Sequence, residues 1–318
     1  MTTRRLGDGG PAVGAIGLGC MGMSWAYSAG ARDDAASVAV IQRALDLGVT
    51  LIDTADVYGP FTNEELVGRA LRGRRDEAVV ATKAGLVVAD ANTYRIERDG
   101  RPEHLAAACD ASLARLGIDV IDLYQLHRPD PSVPIEDSVG ALADLVAAGK
   151  VRHIGVSEVT LDELARADAT HPVATVQSEF SLWTRDPLAD ILPWCQANRV
   201  AFLPFSPLGR GFLTGRYRSA DTFESGDFRA SNPRFTAEAM QANLALADRV
   251  TDIAAGLGLT AGQVALAWLL AQGDQVIPIP GTKRVAYLEE NAAAAAVVLP
   301  VEALAALDDL PEPVGARY

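Results

Sequence analysis

A single (β/α)8 barrel is the fold this sequence predicts. Three observations carry that expectation: short apolar runs recur along the chain, helical segments separate them, and no linker divides it. The runs are "AVGAIGLG", "VTLIDTA", "AVVATKAG", "VIDLYQLH", "VRHIGVSE", "VATVQSEF", "VAFLPFSP" and "VIPIPGT", eight in all. Each has the length and the Val, Ile, Leu or Phe content of a buried strand. Strands that alternate with helices lie parallel, because each return needs a crossover. One domain over residues 1–318 is expected.

The elements follow in order. "TRRLGDGGPAV" carries a Gly-Gly-Pro turn and predicts a short amino-terminal hairpin. The first run ends in "GLGCMG", where Gly17, Gly19 and Gly22 have the G-x-G-x-x-G spacing of a dinucleotide-binding turn. That turn needs a helix opening at its glycines and an acid about 20 residues on. Turn-forming residues follow instead, and Asp53 arrives too late. The glycines therefore read as a loop. "DDAASVAVIQRALDLG" begins on Asp and ends on Gly, as helix caps do. "NEELVGRALRG", "RPEHLAAACDASLARLG" and "IEDSVGALADLVAAGK" repeat the scheme. After the seventh run, "GRGFLTGRYRSADTFESGDFRASNPRF" is too long for a bare connector and predicts a substrate or cofactor loop. "AMQANLALADRVTDIAAGLG" and "TAGQVALAWLLAQG" read as helices before the eighth run, and "NAAAAAVV" as helix packing.

Composition narrows the function. A chain of 318 residues with 49% hydrophobic residues buries a large core. Its formal net charge of −13 argues against nucleic acid and anionic membranes as partners. "MTTRRLGDGG" lacks the apolar core of a secretion signal and no run is long enough to span a bilayer, so a cytoplasmic protein is expected. Cys20, Cys109 and Cys195 form neither a disulfide framework nor a zinc knuckle. His104, His127, His153 and His171 make no H-x-x-x-H pair, so no metal is expected; all but His127 are assigned no role.

Chemistry in such a barrel belongs at the carboxyl ends of the strands. Asp53 ends the second run, Lys83 ends the third, His127 follows the fourth, and Tyr58 lies on the loop after Asp53. Alone, Asp53 would serve equally as a turn residue. A lysine behind "AVVAT" is harder to explain passively, because its desolvated ammonium needs a partner, and Asp53 is the neighbouring one. A phenol titrates near pH 10, and an adjacent ammonium is expected to lower that value. Tyr58 would then protonate a developing oxyanion while His127 polarises the carbonyl. This is carbonyl reduction, given a hydride source.

The segments "DTADVYG", "TKAG", "LYQLHRPDP", "HIGVSE", "VQSEFSL", "PFSPLGRGFLTG" and "IPGTKRVAYLEEN" resemble the aldo-keto reductase family, in order and over nearly the whole chain. The resemblance implies a barrel that binds NADPH without a Rossmann domain and reduces a small carbonyl substrate. It implies a catalytic tetrad of Asp53, Tyr58, Lys83 and His127, with Tyr58 the proton donor. For the cofactor it implies Ser157 and Gln177 at the carboxamide and Phe205 stacked on the nicotinamide. Ser206, Leu208, Gly209 and Arg210 would lie beside the pyrophosphate, with Arg210 pairing a phosphate. Gly281, Thr282 and Lys283 match the segment around the 2′-phosphate, and Glu290 and Asn291 the adenine pair. Two positions depart from the family pattern: Glu158 replaces a common Asn, and Tyr287 replaces a common basic residue. Trp25, Tyr27, Phe61 and Trp183 are candidates for an aromatic substrate mouth. Two other readings stay open. One is a nicotinamide sensor resembling the beta subunits of voltage-gated potassium channels; the other is a sugar or alcohol dehydrogenase working oxidatively.

Overall fold

In the computed structural model, residues 1–27, 30, 32–90, 95–224 and 226–317 are described. Thr3–Arg5 (β1) and Ala12–Gly14 (β2) form the expected antiparallel hairpin. The barrel strands begin with Leu18–Gly19 (β3), Leu51–Asp53 (β4) and Val79–Ala84 (β5). A second hairpin follows, Leu86–Asp90 (β6) with Arg95–Arg98 (β7), which the apolar pattern did not announce. Ile121–Leu126 (β8), Val151–Ser157 (β9), Thr175–Glu179 (β10) and Ala201–Phe205 (β11) complete a parallel sheet in the order β11-β10-β9-β8-β5-β4-β3.

The eighth run closes the barrel without becoming a regular strand. The Ile277 and Ile279 amides donate to the carbonyls of Phe202 and Pro204 at 2.8 and 3.0 Å. On the other side, the Gly17 and Gly19 amides donate to Pro278 and Pro280 at 2.9 and 3.3 Å. A proline has no N–H to return, so the ladder to β3 is half made. Two prolines thus explain why seven of the eight expected strands are regular.

Among the described residues the helices are Met21–Ser24 (α1), Asp34–Asp46 (α2), Thr62–Ala70 (α3), Pro102–Leu116 (α4) and Ile135–Ala147 (α5). They continue with Leu161–Thr170 (α6), Ile191–Asn198 (α7), Ala237–Leu257 (α8), Ala261–Leu270 (α9), Val285–Ala293 (α10) and Val301–Asp308 (α11). Their ends follow the sequence signals. Asp33 caps α2 through the Ala36 amide, and Thr160 with Glu163 and Thr260 with Gln263 form capping boxes on α6 and α9. The loop after β11 is a chain of short 3-10 turns between Gly209 and Phe235. No single helix among the described residues is long and apolar enough to cross a membrane.

Strand periodicity builds the barrel interior in layers. Leu51, Ala81, Leu123 and Leu203 form an apolar layer with Leu6 and Val13 of the amino-terminal hairpin. Two residues further along the same strands, on the same face, stand Asp53, Lys83, Gln125 and Phe205. Two paired positions, Ser157 and Gln177, add to this second layer. The apolar floor forces the polar layer to satisfy itself internally, and this is where the site forms.

Candidate active site

Lys83 is fully buried, and its ammonium donates to Asp53 Oδ1 at 2.6 Å and to the Thr54 carbonyl at 2.7 Å. Asp53 Oδ2 accepts from Gln177 Nε2 at 2.9 Å and from Gln125 Nε2 at 3.4 Å. Burial opposes the ammonium, yet Asp53 and Tyr58 outweigh it and the Lys83 pKa lies above its ordinary value. The lysine is a fixed cation.

Tyr58 sits beside that cation, with Lys83 Nζ 5.3 Å from its ring centroid. Its backbone is set by a tight loop in which Gly59 takes φ +92. A Cβ at Gly59 would stand 2.2 Å from Thr62 Oγ1, so both the conformation and the space demand glycine. The expected lowering of the phenol pKa is corrected here. Burial, the largest influence, raises it, and Lys83 offsets only part of that rise. Tyr58 therefore remains a phenol at neutral pH.

His127 meets Tyr58 edge to face at 5.7 Å. Burial, then Arg128 and Lys83, hold its pKa well below the usual imidazole value, so the ring is neutral. Its Nδ1 is buried without a hydrogen-bond partner among the described residues. Asp53, Tyr58, Lys83 and His127 are thus brought together as the sequence predicted.

On the adjoining strands, Ser157 and Gln177 stand side by side, and Phe205 ends β11. Ser206, Gly209, Arg210 and Gly211 all have positive φ, which folds the following loop tightly back. A Cβ at Gly209 would lie 2.6 Å from the Trp183 ring, so the loop seats on that tryptophan only as glycine. Leu208 packs into the core. Arg210 does not point away as an unengaged phosphate ligand: its Nη2 lies 3.1 Å from Glu179 Oε2, and it stacks on Phe228 at 5.0 Å. Gly281 bridges to Gly19, and Thr282 Oγ1 accepts from the Arg284 amide at 3.1 Å. Burial, Arg32 and Arg229 lower the Lys283 pKa. Tyr287 gathers two arginines, its hydroxyl accepting from Arg216 at 2.8 Å and its ring lying 5.6 Å from Arg284. Glu290 accepts from the Thr260 hydroxyl at 2.8 Å, and Asn291 is buried on α10.

The aromatic mouth needs revision. Trp25 lies 5.7 Å from the Tyr58 ring and stands at the candidate site. Trp183 does not: it is 2% exposed, stacked on Phe212 at 4.3 Å, and belongs to the core under the cofactor-side loop. Phe61 is 48% exposed and turns outward over Arg115 of α4. Tyr27 packs under Arg229, and burial pushes its phenol up to about 12. What joins Trp25 over Tyr58 is Met21 with Leu86, Val88 and Ile96 of the β6–β7 hairpin.

Three further groups escaped the sequence reading. Gln125 shares Asp53, and its place two residues before His127 was the only signal. Arg128 donates to the His127 carbonyl at 2.6 Å and to Ser157 Oγ at 3.0 Å, and lies 5.7 Å from the Phe205 ring. It links His127 to Ser157 and Phe205. Asp56 is 3% exposed with Oδ1 unpartnered among the described residues, and burial, then Glu64, push its pKa up to about 8. The Val57 amide, Arg115 and Lys83 only partly counter this. The folded protein therefore holds a proton that the unfolded chain releases near pH 4. The stability that the protonated Asp56 contributes declines as pH rises between those values and is gone above the folded one. Asp56→Asn is expected to raise the thermal midpoint relative to the native protein more at pH 9 than at pH 5, measured by calorimetry.

A model of the aldo/keto reductase family matches residues 15–312. The chain is 44% identical over 324 residues to the aldo-keto reductase yakc of Schizosaccharomyces pombe, whose name specifies NADP(+); the match covers 99% of this chain and 94% of that one. A glycerol dehydrogenase from Gluconobacter oxydans superposes with a TM-score of 0.86 at 33% identity, over 97% of this chain and 94% of that one. An aldo/keto reductase from Klebsiella pneumoniae, in complex with NADP and acetate, superposes with a TM-score of 0.74 at 29% identity, over 99% of this chain and 97% of that one.

Proposed function

Because the chain belongs to the aldo/keto reductase family, we propose that it reduces a small aldehyde or ketone with NADPH, with Tyr58 as general acid. The observation that carries this reading is the buried Lys83–Asp53 pair beside a protonated Tyr58 and a neutral His127.

The donor set fits NADPH by its chemistry. Ser157 and Gln177 supply a hydroxyl and an amide for a carboxamide, and Phe205 supplies a flat apolar face. Gln177 Nε2 is engaged by Asp53, so Oε1 is the atom left to accept from an amide. Lys283 would hold the 2′-phosphate, with Arg216 and Arg284 close by at Tyr287. Leu208 and the positive-φ segment Gly209–Gly211 would lie along the pyrophosphate, and Glu290 with Asn291 at the adenine. When bound, NADPH supplies the hydride.

Everything else is work for the protein. His127, as a neutral imidazole, hydrogen-bonds and polarises the carbonyl oxygen. Tyr58 delivers its proton to that oxygen as negative charge develops. The charge then left on the phenol meets the Lys83 ammonium, which Asp53, Thr54, Gln125 and Gln177 hold in place. Lys83 thus assists the transition state more than it acidifies the resting phenol. Trp25, Met21, Leu86, Val88 and Ile96 form an apolar wall, and Arg128 places a cation near it. A carbonyl compound with an apolar body fits that wall.

The likeness to a glycerol dehydrogenase favours one second reading, oxidation of an alcohol by the same groups in reverse. One assay separates the two: NADPH oxidation against aryl aldehydes, aliphatic aldehydes, ketones and aldoses, alongside NADP+ reduction with the matching alcohols. The reductive reading expects larger kcat/KM for carbonyls at pH 7, and it fails if only alcohols turn over. Lys283→Ala is expected to weaken NADPH binding roughly tenfold while leaving NADH unchanged, since one charge-assisted phosphate contact is lost. Equal losses for both cofactors would remove Lys283 from the 2′-phosphate.

A further inference from the structure

The cofactor reading leaves one problem, a carboxylate at Glu158, directly after Ser157. Glu158 has φ +56, and its Oε1 accepts from the Glu179 amide at 2.8 Å. Glu179 ends β10 and is 3% exposed. Two carboxylates therefore converge where β9 and β10 open onto the cofactor-side loop. Left to themselves they would repel one another and any phosphate-bearing ligand beside them.

The carboxyl-terminal segment answers this charge. Arg317 Nη2 donates to Glu158 Oε2, and Arg317 Nε lies 3.1 Å from Glu179 Oε2. Arg210 Nη2 lies 3.1 Å from the same Glu179 oxygen, and the Thr184 hydroxyl donates to Oε1 at 3.2 Å. Two guanidinium groups thus interleave with two carboxylates. The backbone of the segment is pinned in turn. Asn243 bonds both the amide and the carbonyl of Val314 at 2.8 and 2.9 Å, and Arg234 donates to the Gly315 carbonyl at 3.3 Å. Asn232 and Arg210 donate to the Arg317 carbonyl at 3.0 and 3.4 Å. So many anchors place Arg317 deliberately, 159 residues away in sequence from Glu158.

We propose that Arg317 is a positioning residue of the cofactor site, neutralising and holding Glu158 so that the nicotinamide half of NADPH binds beside Ser157. The inference rests on the NADPH reading and deepens it. It assigns a cofactor-site role to Arg317, which acts through Glu158. It also accounts for a carboxylate standing next to a residue meant to face a carboxamide, because Arg317 and the Glu179 amide occupy both of its oxygens.

The test is a double-mutant cycle on the full chain, with NADPH affinity read by fluorescence titration and the thermal midpoint of the cofactor-free protein read in parallel. Arg317→Ala is expected to weaken NADPH about tenfold, because the partly buried Glu158 carboxylate loses its cationic partner. Glu158→Gln in the Arg317→Ala background is expected to restore affinity to within about threefold of native, since it removes the charge that Arg317 offsets. The cofactor-free midpoint should fall and recover in the same order. Affinity lost and restored while every variant's cofactor-free midpoint stays well above the titration temperature is the outcome that a merely structural role for Arg317 would not produce. Native affinity in Arg317→Ala, or a double variant no better than the single one, overturns the proposal. A native chain that does not bind NADPH overturns the cofactor reading itself, and this inference with it.

Discussion

Tyr58→Phe is expected to lower kcat for carbonyl reduction by about three orders of magnitude, within the range for loss of a positioned general acid. The substitution deletes one oxygen from a ring that stays packed against Trp25 and His127, so folding should be unchanged. NADPH affinity should move by no more than about twofold, because the ring keeps its packing against Trp25, His127 and Lys83 and the residues proposed for the cofactor are unaltered. Transient kinetics and cofactor titration check both halves. A variant that loses affinity and rate together would mean that Tyr58 holds the site in shape.

Lys83→Met is expected to abolish turnover and also to destabilise the fold. The ammonium is fully buried and is the cationic partner of Asp53. Removing it leaves a carboxylate in the barrel interior with only two amides to answer it, which costs about 3–5 kcal/mol. Adding Asp53→Asn to that variant removes the stranded charge. Stability is then expected to recover while activity does not, since nothing remains to meet the phenolate charge. Denaturant midpoints and kcat, measured on both variants, separate the two roles. Recovery of activity with stability would show that Lys83 serves the fold alone.

The sequence made the barrel legible wherever a local pattern encoded it. Apolar runs of strand length, Asp33 ahead of α2 and Gly117 behind α4 are signals within a few residues of what they specify. The clustering of Asp53, Tyr58, Lys83 and His127 was legible for the same reason, since three of them sit at strand ends and Tyr58 lies next to a glycine with an imposed conformation. What the chain does across long separations was hidden. Nothing near Glu158 announces Arg317, and nothing in "SLWT" says that Trp183 stacks under Gly209 instead of facing a substrate.

Burial was the second hidden quantity. Proximity to Lys83 suggested an acidified phenol, whereas the desolvation that raises its pKa depends on the whole surrounding packing. The eighth strand failed for a plainer reason. Pro278 and Pro280 were visible in "VIPIPGT", and their missing amides explain the irregular closure. The β6–β7 hairpin went unseen because its apolar run, Leu86 to Ala89, follows directly on the third run and its partner strand, RIER, is mostly charged and exposed. Yet that hairpin supplies much of the wall over Tyr58. The apolar packing around Tyr58 therefore rests on the part of the chain whose pattern says least.

In the proposed reaction a hydride moves straight from NADPH to the carbonyl carbon, and isotope tracing follows that atom. NADPH carrying deuterium at both C4 positions would be incubated with a reactive aldehyde and the native protein, and the alcohol product analysed by mass spectrometry and NMR. One deuterium on the carbinol carbon, with none exchanged to water, is the predicted result. An alcohol formed without deuterium, or NADPH bound and never oxidised by any carbonyl, would contradict the account.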